Sequence, residues 1–224
     1  MKKDMTNKKL SSMGSLEIYN KIKDMIISRE LLPNQRIVET EVCSKFNVSR
    51  TPLREALRRL EAEGYISSFK NKGAVVIYLK PEDIEERFLY FANLLSFASS
   101  LGVKNITKKQ IDDLIKYNKD MSNSISITER IQWVAYNQSF HITLLASCPN
   151  HYLLTQLTRE GERLWRYWAS AFNMVFDLNE YQNEHNEIID AVIKKDSERV
   201  YSLTYMHISK FSAKIRIIAG NMGF

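Results

Sequence analysis

The feature that most constrains the fold is one segment, NVSRTPLREALRRL at residues 47–60. Its apolar residues recur at helical spacing and predict a helix with one buried face. That face would comprise Leu53, Ala56, Leu57 and Leu60. Ser49 is a favourable N-cap, and Pro52 is tolerated in a first turn whose amide hydrogens have no intrahelical partner. Because Asn47 tolerates the left-handed conformation, it suits a sharp turn into this helix from a preceding one.

The surrounding segments place this helix in a recognisable order. Helical patterns cover residues 15–30 and 38–46 before it. After it the period changes, and the β-rich runs at 65–69 and 74–79 are separated by the turn-like sequence KNKG. Three helices followed by a two-stranded hairpin is the order of a winged helix-turn-helix.

The rest of the chain, from about residue 82 to 218, shows only helical patterns and no strand signal. It predicts an all-α bundle of about six helices, so the fold class is mainly α. Pro81 and the acidic residues after it suit a helix start and mark the boundary. The predicted parts are a disordered basic tail at 1–14, the winged helix-turn-helix at 15–80 and the bundle at 81–218.

The positive charge of the chain is concentrated at one end. Residues 1–80 contain 16 Lys and Arg against 9 Asp and Glu, whereas residues 81–224 contain 16 against 17. The whole net charge of +6 therefore arises in the first part, which favours a polyanionic partner there. No apolar stretch approaches the ~20 residues that span a bilayer, so no membrane partner is expected. Two widely separated cysteines, Cys43 and Cys148, fit reduced thiols in a cytoplasmic protein.

The polar face of the helix at 47–60 is suited to DNA. Arg50, Arg54 and Arg58 follow one another along one side of it. Arginine there can reach guanine O6 and N7 or a phosphate, and Ser49 and Thr51 can donate to phosphate oxygens at the helix N-terminus. The alternative is a solvated charged face, the usual meaning of such a pattern in an isolated helix.

The sequence NVSRTPLREALRRLEAEGYI followed by KNKGAVV resembles the DNA-binding domain of the GntR family of bacterial transcription regulators. In that family, contacts come from an arginine at the start of the second helix, the opening of the recognition helix, the next arginine one turn on, and the wing-tip glycine. The resemblance implies the contact residues Arg36, Ser49, Arg50, Thr51, Arg54 and Gly73. Val38 and Asn47 depart from the family pattern at helix ends, where it usually has serine and glycine.

Three of the four histidines show the same pattern in the predicted bundle. His141, His185 and His207 each lie on the apolar side of a different helix. One such histidine is usually a core residue with its polar atoms satisfied. Three on converging helices, with Asn137 one turn before His141, could instead offer three nitrogens and one oxygen to a divalent metal. Spacing alone leaves both interpretations open.

The sequence YNQSFHITLL and the later EHNEIIDAVIKKDSERVYSLTYMHI resemble the FCD effector domain of the FadR-type branch of the GntR family. This resemblance implies a metal site, with zinc and nickel as candidates. Its ligands would be Asn137, His141, His185 and His207. Phe91 and Leu95 stand where that pattern commonly carries an arginine and a glutamate, which puts a small-carboxylate effector in doubt. Arg163 and Arg166 are candidate substitutes, with surface charge as the alternative.

Together these observations predict a ligand-responsive transcription regulator rather than an enzyme. It would bind double-stranded DNA at a palindromic operator as a homodimer and sense a small-molecule effector in the bundle, where a bound metal could coordinate that effector. A different class of function is a metal-dependent hydrolase with a fused DNA-binding domain, in which zinc activates water. A third is a protein that compacts DNA without sequence preference, which would show a specificity ratio near one.

Overall fold

The computed structural model describes residues 13–69, 73–124, 130–172 and 177–222. The predicted basic tail at 1–14 lies outside them except for its last two residues. Of the predicted turn KNKG at 70–73, residues 70–72 lie outside them and Gly73 is the first residue of a strand. The chain divides after Tyr78 into two compact units, which are described separately below. Among the described residues, no helix combines the length and the apolar character needed to cross a bilayer.

The first unit contains three helices and a small sheet. Its elements are α1 (Ser15–Ile27), β1 (Arg36–Ile37), α2 (Glu39–Phe46), α3 (Arg50–Ala62), β2 (Ile66–Phe69) and β3 (Gly73–Val76). The strands are antiparallel in the order β1-β3-β2, with Val75 of β3 opposite Arg36 on one side and Ser67 on the other. This is the winged helix-turn-helix that the sequence predicts, with one strand more than expected.

The turn between α2 and α3 has the chemistry expected from the sequence. Asn47 adopts a left-handed backbone with φ 52°, and Ser49 occupies the N-cap of α3 in an extended conformation. Gly64, with φ 77°, ends the helix in the left-handed region that glycine enters without steric cost. The apolar face of α3 is buried against residues of α1 such as Ile18 and Ile22. The polar face of α3, which includes Arg50, Arg54 and Arg58, is exposed.

The extra strand corrects one expectation. The family resemblance predicts Arg36 at the start of the second helix, but that helix begins at Glu39, and Arg36 lies in β1 instead. A two-residue strand is too short to show a period-2 pattern, so it could not be predicted from periodicity.

The second unit is all-helical in the part that the structure describes. Its elements are α4 (Pro81–Gly102), a short 3-10 helix (Val103–Asn105), α5 (Lys108–Ser122), α6 (Arg130–Leu145), α7 (His151–Phe172), α8 (Leu178–Ile193) and α9 (Ser197–Met222). The predicted all-α bundle of about six helices is confirmed. Thr107 caps α5 by accepting from the Gln110 amide, and Asp196 caps α9 by accepting from the Arg199 amide.

The core of this unit joins α4 to the later helices. Phe88 of α4 and Phe211 of α9 pack with ring centroids 5.3 Å apart. The same cluster buries Leu114 of α5, Phe140 of α6 and Ile188 of α8 completely. Because α6, α8 and α9 all contribute to one core, polar residues on their buried faces are brought together.

We expect Gly102→Ala to destabilise the bundle by about 1–3 kcal/mol, because overpacking forces backbone shifts. A Cβ atom on Gly102 would lie 2.9 Å from the backbone nitrogen of Cys148 and 3.1 Å from the carbonyl carbon of Ser147. Urea denaturation of the full chain measures the change. Gly161→Ala is the matched control, because its Cβ would lie 3.5 Å from the Phe91 ring, and alanine should stabilise that helix by about 0.5–1 kcal/mol. Equal stability of the Gly102 variant and wild type would contradict the close approach.

Candidate DNA-binding face and histidine centre

The N-terminal half of α3 carries most of the predicted DNA-contacting residues. Ser49, Arg50, Thr51 and Arg54 are all exposed. The Ser49 side chain makes no capping hydrogen bond, so its hydroxyl is not used by the helix. Exposed hydroxyls and guanidinium groups at a helix N-terminus suit phosphate oxygens, which the positive end of the helix dipole also favours.

Arg54 is held by a residue that the sequence reasoning missed. Its Nε lies 3.0 Å from Oε2 and 3.2 Å from Oε1 of Glu39, the first residue of α2. This ion pair joins the two helices of the helix-turn-helix at its exposed face. An exposed pair of this kind contributes at most about 1 kcal/mol, so Arg54 can exchange it for another acceptor at low cost.

Arg36 and Gly73 lie beside each other although 37 positions separate them in the sequence. A Cβ atom on Gly73 would lie 3.5 Å from Arg36 Nε and 3.4 Å from the Ile37 carbonyl oxygen. Gly73 has φ 77°, where a side chain is strained. The guanidinium of Arg36 therefore lies beside Gly73 of β3.

Three histidines meet inside the bundle. His141 of α6, His185 of α8 and His207 of α9 are 7%, 0% and 4% exposed. Their ring centroids are 4.6 Å apart for His185 and His207, 5.2 Å for His141 and His207, and 5.4 Å for His141 and His185. One ring nitrogen from each lies within 4.8 Å of the other two, so a single ion could reach all three.

The polar atoms of this centre are mostly without protein partners. Within the described ranges, both ring nitrogens of His141 and of His185, and Oδ1 of the buried Asn137, accept or donate no hydrogen bond. Asn137 lies one turn before His141 on α6. Buried polar groups nearly always have partners, so the four unpartnered ring nitrogens of His141 and His185 in one cluster indicate a ligand site.

Burial controls the protonation of this centre. Desolvation lowers the pKa of His141 and His185 well below the usual histidine range, and the neighbouring imidazoles lower it further. Both rings are therefore neutral at neutral pH and carry a lone pair. Burial alone would raise the pKa of Glu184, but hydrogen bonds from His207 and Lys210 outweigh it and lower the pKa overall. Glu184 is therefore an ionised carboxylate beside the His207 ring.

These residues fit a divalent transition metal. Neutral imidazole nitrogens suit zinc, nickel and copper, and three of them leave a coordination position for a water or another ligand. The amide oxygen of Asn137 is a neutral and weaker donor than a carboxylate. The cluster can also hydrogen-bond a polar organic ligand directly, because its lone pairs are available.

Of the three predicted effector residues, the structure describes the side chains of Phe91 and Arg163. Phe91 is buried in the core, with its ring against Gly161 of α7. Arg163 has a guanidinium nitrogen 3.4 Å from Glu160, which Arg87 also approaches at 3.5 Å. The side chain of Arg166 lies outside the described part of the chain. Arg163 therefore already shares a carboxylate with a second arginine.

Glu184 is the other functional residue that the sequence reasoning missed. Its Oε2 lies 2.7 Å from His207 Nδ1, and Lys210 donates to its Oε1 at 2.5 Å. Its position directly before His185 was a possible signal, but its contact is with the histidine of another helix. Because both oxygens are engaged, this carboxylate is not a ready general base for the hydrolase alternative.

Comparison with known proteins identifies the family. The model of the gntR family of bacterial regulatory proteins matches residues 15–76, and the FCD domain model matches residues 91–210. The chain belongs to the GntR family. The resemblance found in the sequence is thereby confirmed, and this GntR-family protein is a DNA-binding transcription regulator of the FCD type.

Two relatives named as transcription regulators match this chain over most of their length. The Nta operon transcriptional regulator of Aminobacter aminovorans is 30% identical, over 88% of this chain and 92% of the relative. The HTH-type transcriptional regulator YdhC of Bacillus subtilis is 27% identical over 87% of each chain. Both relatives are named as transcription regulators, which fits the prediction of a regulator.

Solved structures share the fold. Escherichia coli McbR/YncC superposes with a TM-score of 0.70 over 90% of this GntR-family chain and 96% of its own, at 18% identity. Lar, which controls the agr system of Listeria monocytogenes, gives 0.63 over 93% and 97%, at 20% identity. At these identities the likeness concerns the fold alone.

Proposed function

We propose that this protein is a cytoplasmic, homodimeric, ligand-responsive regulator whose histidine centre senses the effector. One observation supports effector sensing by this centre. Three buried imidazoles converge in the bundle, and those of His141 and His185 have no hydrogen-bond partner among the described residues. A core that needed only stability would be better filled by apolar side chains, because unpaired buried polar groups are costly.

On the DNA side, the proposed contacts divide into base readers and phosphate contacts. Arg50 and Arg54 would enter the major groove, where arginine recognises guanine O6 and N7. Ser49 and Thr51 would donate to phosphate oxygens. Arg36 and the backbone at Gly73 would contact the duplex from the wing. These roles are supported by the exposure of the α3 side chains and by the position of Arg36 beside β3.

On the effector side, Asn137, His141, His185 and His207 would hold a divalent metal such as zinc or nickel. The metal would supply a Lewis-acidic position for an oxygen or nitrogen atom of the effector. Phe91, Arg163 and Arg166 are the proposed effector contacts from α4 and α7. Effector binding changes operator affinity only if it favours one arrangement of the two recognition helices, which is a population shift.

An exposed aromatic surface supports the homodimer. Tyr90 and Phe97 of α4 lie one heptad apart and are about half exposed. Beside them on α9, Tyr201 donates to Asn93 of α4 and stacks on Tyr205 with parallel rings. Exposed apolar patches commonly mark protein interfaces, and symmetric dimers are the commonest oligomers.

Selection of random-sequence DNA by the purified full chain tests this function. We expect enrichment of a palindrome bound by two chains per site, with ~10³-fold or greater preference over unrelated DNA at physiological salt. Sedimentation analysis of the complex gives the stoichiometry. Equal affinity for all sequences would instead support a DNA-compacting protein, and one chain per asymmetric site would contradict the dimer.

A further inference from the structure

His207 differs from the other two histidines of the centre because a carboxylate contacts one of its nitrogens. Glu184 Oε2 lies 2.7 Å from His207 Nδ1, and the two side chains are 15% and 4% exposed. Neither ring nitrogen of His141 or His185 has such a contact within the described part of the chain. Among the described residues, His207 is thus the one ring of the three that contacts a carboxylate.

The chemistry of this contact determines which nitrogen of a neutral His207 ring carries the lone pair. An ionised carboxylate can only accept a hydrogen bond, so the proton of a neutral His207 ring must lie on Nδ1. Nε2 is then the atom with the lone pair. Metal-ligating histidines commonly donate their other ring N–H to a carboxylate, which fixes the ring and raises its basicity.

Glu184 is itself held in place from α9. Lys210 donates to Glu184 Oε1 at 2.5 Å, and the same ammonium lies 3.6 Å from Glu180. Glu180 also accepts from Lys214 at 2.7 Å, and within the described ranges it makes no hydrogen bond to a histidine. Glu180 and Glu184 thus share a helix and a lysine partner, and of the two it is Glu184 that contacts a histidine of the centre in the described structure.

We infer that Glu184 is a positioning residue that fixes His207 with Nε2 directed to the metal, and that Lys210 fixes Glu184 in turn. This inference rests on the proposed metal site. Sites of this kind typically lose 10–100-fold in metal affinity when the outer carboxylate is replaced. The role is separate from ligation, because Glu184 reaches the site only through the imidazole.

Zinc affinity of the full-length protein, measured by competition with a chelator, tests the inference. Glu184→Gln keeps the size of the side chain but can donate as well as accept, so it no longer selects one tautomer. We expect about 10–100-fold weaker zinc binding for this variant. Glu180→Gln is the matched control and should stay within about twofold of wild type, because it alters only exposed ion pairs. Equal zinc affinity of Glu184→Gln and wild type would overturn the inference.

Nitrogen-15 NMR of the histidine rings in the metal-free full chain gives a readout that a merely structural role would not change. In the wild type, His207 is expected as the Nδ1–H tautomer, and in Glu184→Gln as a mixture. A wild-type His207 protonated only on Nε2 would overturn the inference even if the variant failed to fold. Failure of wild-type protein to bind zinc would refute the zinc site of the proposed function, while the tautomer result would still decide the role of Glu184.

Discussion

Replacing His185 with alanine is expected to abolish retention of divalent metal. His185 is fully buried and lies 4.6 Å from the His207 ring and 5.4 Å from the His141 ring, measured between centroids. Its loss removes one of three nitrogen ligands, which should cost more than the 10–100-fold typical of an outer-shell partner. The remaining two imidazoles and the Asn137 amide should not hold an ion through extensive dialysis.

The measurement is elemental analysis of the dialysed protein together with native mass spectrometry. His151→Ala is the matched control, because His151 is an exposed histidine at the start of α7. It should leave the metal content unchanged. His185→Gln keeps most of the volume and a polar group, and so separates loss of a ligand from collapse of the core. Stoichiometric metal in both His185 variants would refute the site.

Much of this centre could be anticipated from the sequence, because helical periodicity states which side of a helix a residue occupies. His141, His185 and His207 each fall on an apolar stripe, and the structure buries all three. Periodicity does not state how helices are rotated against one another. The contact of Glu184 with His207 depends on the packing of α8 against α9, so only the structure shows it.

In the first unit, too, local sequence predicts some features, and others depend on how the elements pack. The turn at Asn47, the N-cap position of Ser49 and the buried face of α3 were predicted from local chemistry, but the Ser49 side chain makes no capping hydrogen bond. The strand β1 has two residues and no period, and it forms only because β3 pairs with it. The pair between Arg54 and Glu39 likewise joins residues 15 positions apart across the turn, so its existence depends on the angle between two helices.

Replacing Arg54 with alanine should lower operator discrimination by about 1–3 kcal/mol, the range for loss of one arginine that reads a base. Arg54 is exposed on the first turns of α3, where recognition helices contact base edges. Competition binding with the selected operator and with single-base variants measures the effect. The loss should concentrate at one base position in each half-site, because a phosphate contact would weaken all sequences alike.

Two further variants make this result specific. Arg58→Ala removes an exposed arginine one turn later on α3 and should leave base preference unchanged. Glu39→Gln keeps Arg54 but removes the carboxylate that accepts from its Nε. Because that carboxylate would also repel phosphates, we expect the variant to bind unrelated DNA more tightly and to discriminate less.

Unchanged discrimination by Arg54→Ala would exclude Arg54 as a base reader. Equal losses for Arg54→Ala and Arg58→Ala would show that α3 contributes charge without sequence recognition.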